Sequence, residues 1–91
     1  VTGDVRPKLA KKVRLRFDAR EGKWMVLAPE RGLFLNGSAK EIVDLCDGTR
    51  TEDEIVRALA EAHGAPHDVV AKDVARVLSE LRARVLLEPG T

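Results

Sequence analysis

Only one cysteine, Cys46, occurs in the 91 residues, so no internal disulfide can form and nothing points to an oxidising compartment. On that ground the chain is read as cytoplasmic. Tyrosine is absent, and the aromatics are limited to Phe17, Trp24 and Phe34, which leaves Val, Leu, Ile and Ala to build the core. No apolar run approaches the ~18 residues of a membrane span, and no signal peptide is visible, so no membrane partner is expected. Groups for chemistry are equally scarce. His63, His67 and Cys46 do not stand at a zinc-ligand spacing and no CxxC occurs. No GxGxxG or GxxxxGKS/T loop is present to cradle phosphates. Carboxylates are spread along helix surfaces rather than paired as acid–base work requires. The expectation is a protein that is not an enzyme and that needs no cofactor or metal.

What is present fits one domain, which at this length buries a little over ~60% of its unfolded surface. Net charge is +1, but residues 1–24 hold eight Lys/Arg against three acids, a balance of +5 that leaves −4 for the remainder. The chain opens Val-Thr-Gly, which is compatible with a segment of a longer protein, with trimming, or with a tag scar. Residues 1–10 have no hydrophobic period and contain Gly3 and Pro7, so they read as a flexible tail or linker. The domain is placed at residues 11–88, with a second tail over 89–91.

Within the domain, residues 12–18 alternate: Val13, Leu15 and Phe17 on one side, Arg14, Arg16 and Asp18 on the other. That is a half-buried strand. Residues 19–22 turn, and 23–28 (KWMVLA) return as its hairpin partner. Pro29-Glu30-Arg31 is too short for a crossover, so Gly32–Asn36 is expected antiparallel at the sheet edge, with Leu33 and Leu35 on one face and Phe34 on the other. Three helices follow. The first, Ser38–Cys46, is expected to be capped by Ser38 and stopped by Asp47-Gly48. The second opens on the capping box Thr51-Glu52-Asp53-Glu54 and ends at Gly64. The third starts near Pro66 and carries the seam Val70, Val74, Val77, Leu78 and Leu81. Its Asp68, Lys72, Arg76, Glu80 and Arg84 fall at i,i+4 spacing and predict a surface ion-pair ladder. Val85–Leu87 is expected as a short terminal strand.

The predicted fold class is therefore α+β and winged helix-turn-helix-like, a three-stranded antiparallel sheet followed by three helices. Such an arrangement raises a DNA-binding regulator as the alternative function. The third helix would then enter the major groove, yet from Pro66 to Leu81 it holds three acids against two bases. Phosphate neutralisation supplies most DNA affinity, so no nucleic-acid partner is expected.

Several stretches, in order, carry a more specific signal. VRLRFD at 13–18 and the run at 24–55 that contains Leu27-Ala28-Pro29-Glu30, Leu35-Asn36 and Leu45-Cys46-Asp47-Gly48 precede a DV…VL..L seam and a terminal LLEP. From Pro7 onward the chain resembles the PqqD family of pyrroloquinoline quinone biosynthesis, the founding type of the peptide-recognition elements of ribosomal peptide modification. The resemblance implies that the chain binds the precursor peptide PqqA and presents it to PqqE, a radical S-adenosylmethionine enzyme, with fusion to PqqC as one further arrangement. It also implies where the peptide lies: added as a strand to Gly32, Leu33, Phe34, Leu35 and Asn36, beside Val69, Asp73 and Arg76 of the third helix. An edge strand suits that role because its unpaired N–H and C=O groups accept an extended segment. On this reading Leu33→Pro is expected to weaken peptide binding more than Leu33→Ala.

Overall fold

A computed structural model describes residues 5–91 of the chain. Strands β1 (Arg14–Asp18), β2 (Lys23–Ala28) and β3 (Arg31–Leu35) form an antiparallel sheet in that order, and helices α1 (Gly37–Asp44), α2 (Glu52–His63) and α3 (His67–Ala83) follow. The class is α+β and winged helix-turn-helix-like, as the sequence indicates.

Alternation decides which side of the sheet is covered. The register aligns Leu15 with Val26 and Leu33, and Phe17 with Trp24 and Leu35, so these residues share one face. Val26 and Leu35 are buried, and Leu15 and Leu33 pack against the same core. The helices supply the other half: Ile42, Val43 and Cys46 from the α1 region, Ile55, Val56 and Leu59 from α2, and Val74, Val77, Leu78 and Leu81 from α3. Apart from Cys46 the core is aliphatic, and all three aromatics stay at the surface, with Phe17 and Phe34 each 48% exposed and Trp24 37%. Phe17 and Trp24 meet edge to face, their centroids 5.4 Å apart, and Lys40 Nζ lies 4.5 Å from the Trp24 ring centroid.

Element boundaries differ from the expectation in physically simple ways. β1 starts at Arg14 rather than Lys12 because Lys11 and Lys12 form a turn closed by Val13 N–H donating to Ala10 O at 3.0 Å. β3 ends at Leu35, and Asn36, expected as its last residue, is instead the N-cap of α1. Its Oδ1 accepts from Ala39 N at 2.8 Å and from Ser38 Oγ at 3.1 Å. Ser38, expected as the cap, is thus inside the helix. Gly48 does take a left-handed conformation, φ +84°, but α1 already ends at Leu45, and Gly48 N–H donates to Pro7 O. The α2 signals hold as read: Thr51 and Glu54 cap each other reciprocally, and Gly64 closes the helix at φ 59°.

The predicted i,i+4 ladder on α3 does not form. Arg76 turns to Asp73 at i,i+3 instead, 2.6 Å away, and i,i+4 pairs appear on the other helices, Lys40–Asp44 and Arg57–Asp53.

Both ends of the described segment join the fold. The tail reading of residues 1–4 lies outside the described residues. Residues 5–10, read as part of the same tail, run back across the domain: Pro7 is fully buried, Lys8 bridges Asp47 and Leu9 bridges Leu87. Ala10 N–H donates to Leu86 O at 3.0 Å, and Glu88 N–H to Lys8 O at 2.7 Å. The expected terminal strand is thus reduced to a single bridge, with Leu86 and Leu87 buried beneath it. Thr91, expected in a second tail, has its carbonyl accepting from Arg82 Nε at 2.9 Å.

Candidate functional site

The edge of β3 is open: among the described residues β3 pairs only with β2. Its register shows which groups face outward. Ala28 and Arg31 pair across the two-residue turn Pro29-Glu30, where Glu30 adopts φ 63°, as the second turn position of a type II turn requires. A pair closing so tight a turn exchanges both its hydrogen bonds. Alternation then directs the amides of Leu33 and Leu35 at β2 and leaves the N–H and C=O of Gly32 and Phe34 pointing to the free side. Leu33→Pro would therefore break the sheet's own ladder, and the residue that tests the edge is Phe34.

The side chains of β3 settle the orientation left open by the sequence. Leu35 is buried and Leu33 half-buried on the helix side, while Phe34 is on the opposite face. Gly32 is exposed and not there for steric reasons. A Cβ at that position would meet Leu27 Cδ2 at 3.5 Å and Met25 Cε at 3.7 Å, ordinary contacts.

Beyond the C-terminal end of β3 lies a groove of about 580 Å³. Its walls are Ser38, Glu41 and Ile42 from α1, Leu59 and His63 from α2, Ala65 from the connecting loop, and Val69, Val70, Lys72, Asp73 and Arg76 from α3. The three α3 residues singled out from the sequence thus line one groove. Residues 32–36 do not line it; they approach it through Ser38. Sequence reasoning missed the α1 and α2 contributions, above all Ile42, Glu41 and His63. Ile42 stands with Ala39, Val43 and Cys46 at the one-face spacing of a helix, but nothing local says that this stripe's margin borders a groove.

The groove has an apolar floor and a paired polar rim. Val69 is 58% exposed, an apolar side chain left uncovered beside Val70. On the rim, His63 Nε2 lies 2.9 and 3.0 Å from the two Glu41 carboxylate oxygens, and Arg76 donates to Asp73. Lys72 has no ion-pair partner among the described residues. Such a surface can hold apolar side chains and satisfy an extended backbone alongside. It does not assemble a nucleophile with a base. Its hydroxyl, Ser38 Oγ, donates to Asn36 Oδ1 at 3.1 Å; Cys46, which is not part of the groove walls, has its thiol pushed up to about 12 by burial, aided by the neighbouring Asp47 charge, and its Sγ donates to Ile42 O at 3.3 Å. No group of three or more His, Cys, Asp or Glu among the described residues could hold a metal ion. No described helix is long and apolar enough to cross a membrane.

Comparison with known proteins is specific. The sequence model of the family described as "Coenzyme PQQ synthesis protein D (PqqD)" matches residues 23–87. A protein of Gluconobacter oxydans named "PqqA binding protein" is 42% identical over 74 residues, covering 81% of this chain and 77% of that one. The "Bifunctional coenzyme PQQ synthesis protein C/D" of Methylorubrum extorquens is 34% identical over 82 residues, which are 90% of this chain and 22% of that longer protein. In three dimensions, the solution structure of the PqqD truncation of Methylobacterium extorquens PqqCD, described as a functional stand-alone recognition element for ribosomally synthesised and modified peptides, superposes with a TM-score of 0.78. It is 34% identical and covers 97% of this chain and 93% of that one. With residues 23–87 matched by the family model and the fold superposed over 97% of its length, the chain belongs to the PqqD family.

Proposed function

We propose that the chain binds the ribosomal precursor peptide PqqA as a fourth strand on β3 and presents it to the radical S-adenosylmethionine enzyme PqqE in pyrroloquinoline quinone biosynthesis. The observation that carries this reading is the open β3 edge, with the Gly32 and Phe34 main-chain groups turned outward beside an uncovered apolar groove. A peptide strand paired there has alternating side chains. Those on the helix side run toward Val69, Asp73 and Arg76; those on the other side lie along Phe34. Main-chain pairing gives affinity with little sequence dependence, and the groove supplies selectivity. Leu33 and Leu35 act from beneath, holding β3 against the core, and Asn36 fixes the point at which the edge turns into α1. Relatives named for PqqA binding support the identity of the peptide. A relative that carries the domain within a C/D protein supports fusion to PqqC as an alternative way of delivering it. Catalysis belongs to the partner in this scheme, and the chain itself is not an enzyme. Calorimetric titration of the full chain with PqqA tests the reading: saturable one-to-one binding is expected, and absence of heat at high micromolar peptide would reject it.

A further inference from the structure

The helices cover one face of the sheet and leave the other bare. On the bare face the register sets out two rows across the strands, Arg14–Leu27–Gly32 and Arg16–Met25–Phe34. The result is a column of arginines on β1 beside a column of half-buried aliphatic side chains on β2, with Phe34, 48% exposed, at the far side. Arg14 and Arg16 stand two residues apart on one strand, about 7 Å, and neither is in an ion pair among the described residues. Lys23 adds a third cation, its Nζ 5.9 Å from the Phe34 ring centroid. Asp18 is the one acid on this face, and its Oδ1 is engaged by the hairpin, accepting from Arg20 N at 2.9 Å and Glu21 N at 3.2 Å.

This charge pattern selects among occupants. A second copy stacked with β1 over β1 would bring two arginine columns together, and like charges across an interface disfavour association; stacked with β1 over β3 it would set those arginines over Gly32 and Phe34, which offer no carboxylate. The helical part of the chain cannot reach the face, since it is packed on the other side of the same sheet. What complements the surface is a segment with apolar side chains for Met25, Leu27 and Phe34 and carboxylates for Arg14 and Arg16.

We propose that this outer sheet face docks an acidic, amphipathic segment of the enzyme that modifies the bound peptide. The inference rests on the reading given under Proposed function, because β3 is what joins the two surfaces. A peptide strand on the β3 edge adds its outward side chains next to Phe34 and so extends the outer face by one strand. The enzyme then touches domain and peptide at once, and each ligand raises the affinity of the other by the same factor.

The test uses the full chain and the doubly reversed variant Arg14→Glu/Arg16→Glu, with the conservative Arg14→Lys/Arg16→Lys as a check on folding and general charge. Two affinities are read for each: PqqA by calorimetry, and the radical S-adenosylmethionine enzyme PqqE by surface plasmon resonance at two salt concentrations. The reversed pair should lose enzyme binding by roughly 10-fold or more, keep PqqA within about threefold because β2 and β3 lie between β1 and the peptide, and abolish the salt dependence seen in the wild type. The lysine pair should keep most enzyme affinity. Enzyme binding unchanged by charge reversal overturns the docking face, as does absence of enzyme binding to a wild-type chain that takes the peptide. Loss of peptide binding in the wild type instead removes the groove reading, while arginine-dependent enzyme binding would leave the docking face standing.

Discussion

Proline at Phe34 separates main-chain pairing from side-chain contact. The register turns the Phe34 N–H away from β2, so proline there deletes an outward donor without breaking the ladder inside the sheet, an edge position that proline tolerates. Its restriction on the preceding residue favours extended backbone, which Leu33 already has as a strand residue. A backbone hydrogen bond contributes a net ~0.5–1.5 kcal/mol, equal to roughly 2–10-fold in Kd. The pyrrolidine ring also occupies the space of the added strand, so the loss should reach the top of that range. Phe34→Ala removes the aromatic ring and keeps the donor. Calorimetry with PqqA on both variants, at equal folded fraction by circular dichroism, should place Phe34→Pro about 10-fold below Phe34→Ala. Leu33→Pro should unfold the sheet rather than report on binding. Equal peptide affinities for the two Phe34 variants would refute pairing on this edge.

Three further expectations concern the scaffold. Asn36→Ala removes the α1 cap and should cost about 1 kcal/mol by urea denaturation, while Ser38→Ala should cost less; the reverse order would contradict the observed capping. Cys46 is protonated in the fold with its pKa raised from 9.0 to about 12. The unfolded chain therefore loses that proton first, so stability should be intact below about pH 9 and fall as pH rises toward 12. Cys46→Ala should remove this component of the alkaline decline, and native Cys46, 3% exposed, should resist iodoacetamide. Val85 is a β-branched residue at φ 55° and 58% exposed, so Val85→Asn should stabilise the domain by about 0.5–1 kcal/mol, read as a higher urea midpoint.

Periodicity made the strands, the helix seams and the α2 capping box legible because each is a local pattern with a physical cause. The choice between Asn36 and Ser38 was not, since both are good caps and the outcome depends on β3 ending at Leu35. Pro7 shows the other limit. Nothing around it is periodic, and it is buried where its segment meets residues some 40 and 80 positions away: Gly48 N–H donates to Pro7 O, and the next two residues, Lys8 and Leu9, bridge Asp47 and Leu87. Of the candidate site, Val69, Asp73 and Arg76 were named because the family resemblance puts the peptide against α3 and these residues stand beside its apolar seam. Glu41 and His63 were not, because their meeting joins two helices 22 residues apart. The alternation of Leu33, Phe34 and Leu35 was readable, but only the pairing with Val26 and Trp24 says which side is wet.

The most direct measurement is an amide chemical-shift titration of the isotope-labelled chain with PqqA. The largest perturbations should fall on Gly32 and Phe34 and on the Val69–Arg76 stretch of α3, with new protection from exchange at the Gly32 and Phe34 amides. Binding that leaves these amides unprotected and concentrates its shifts elsewhere would contradict the central claim.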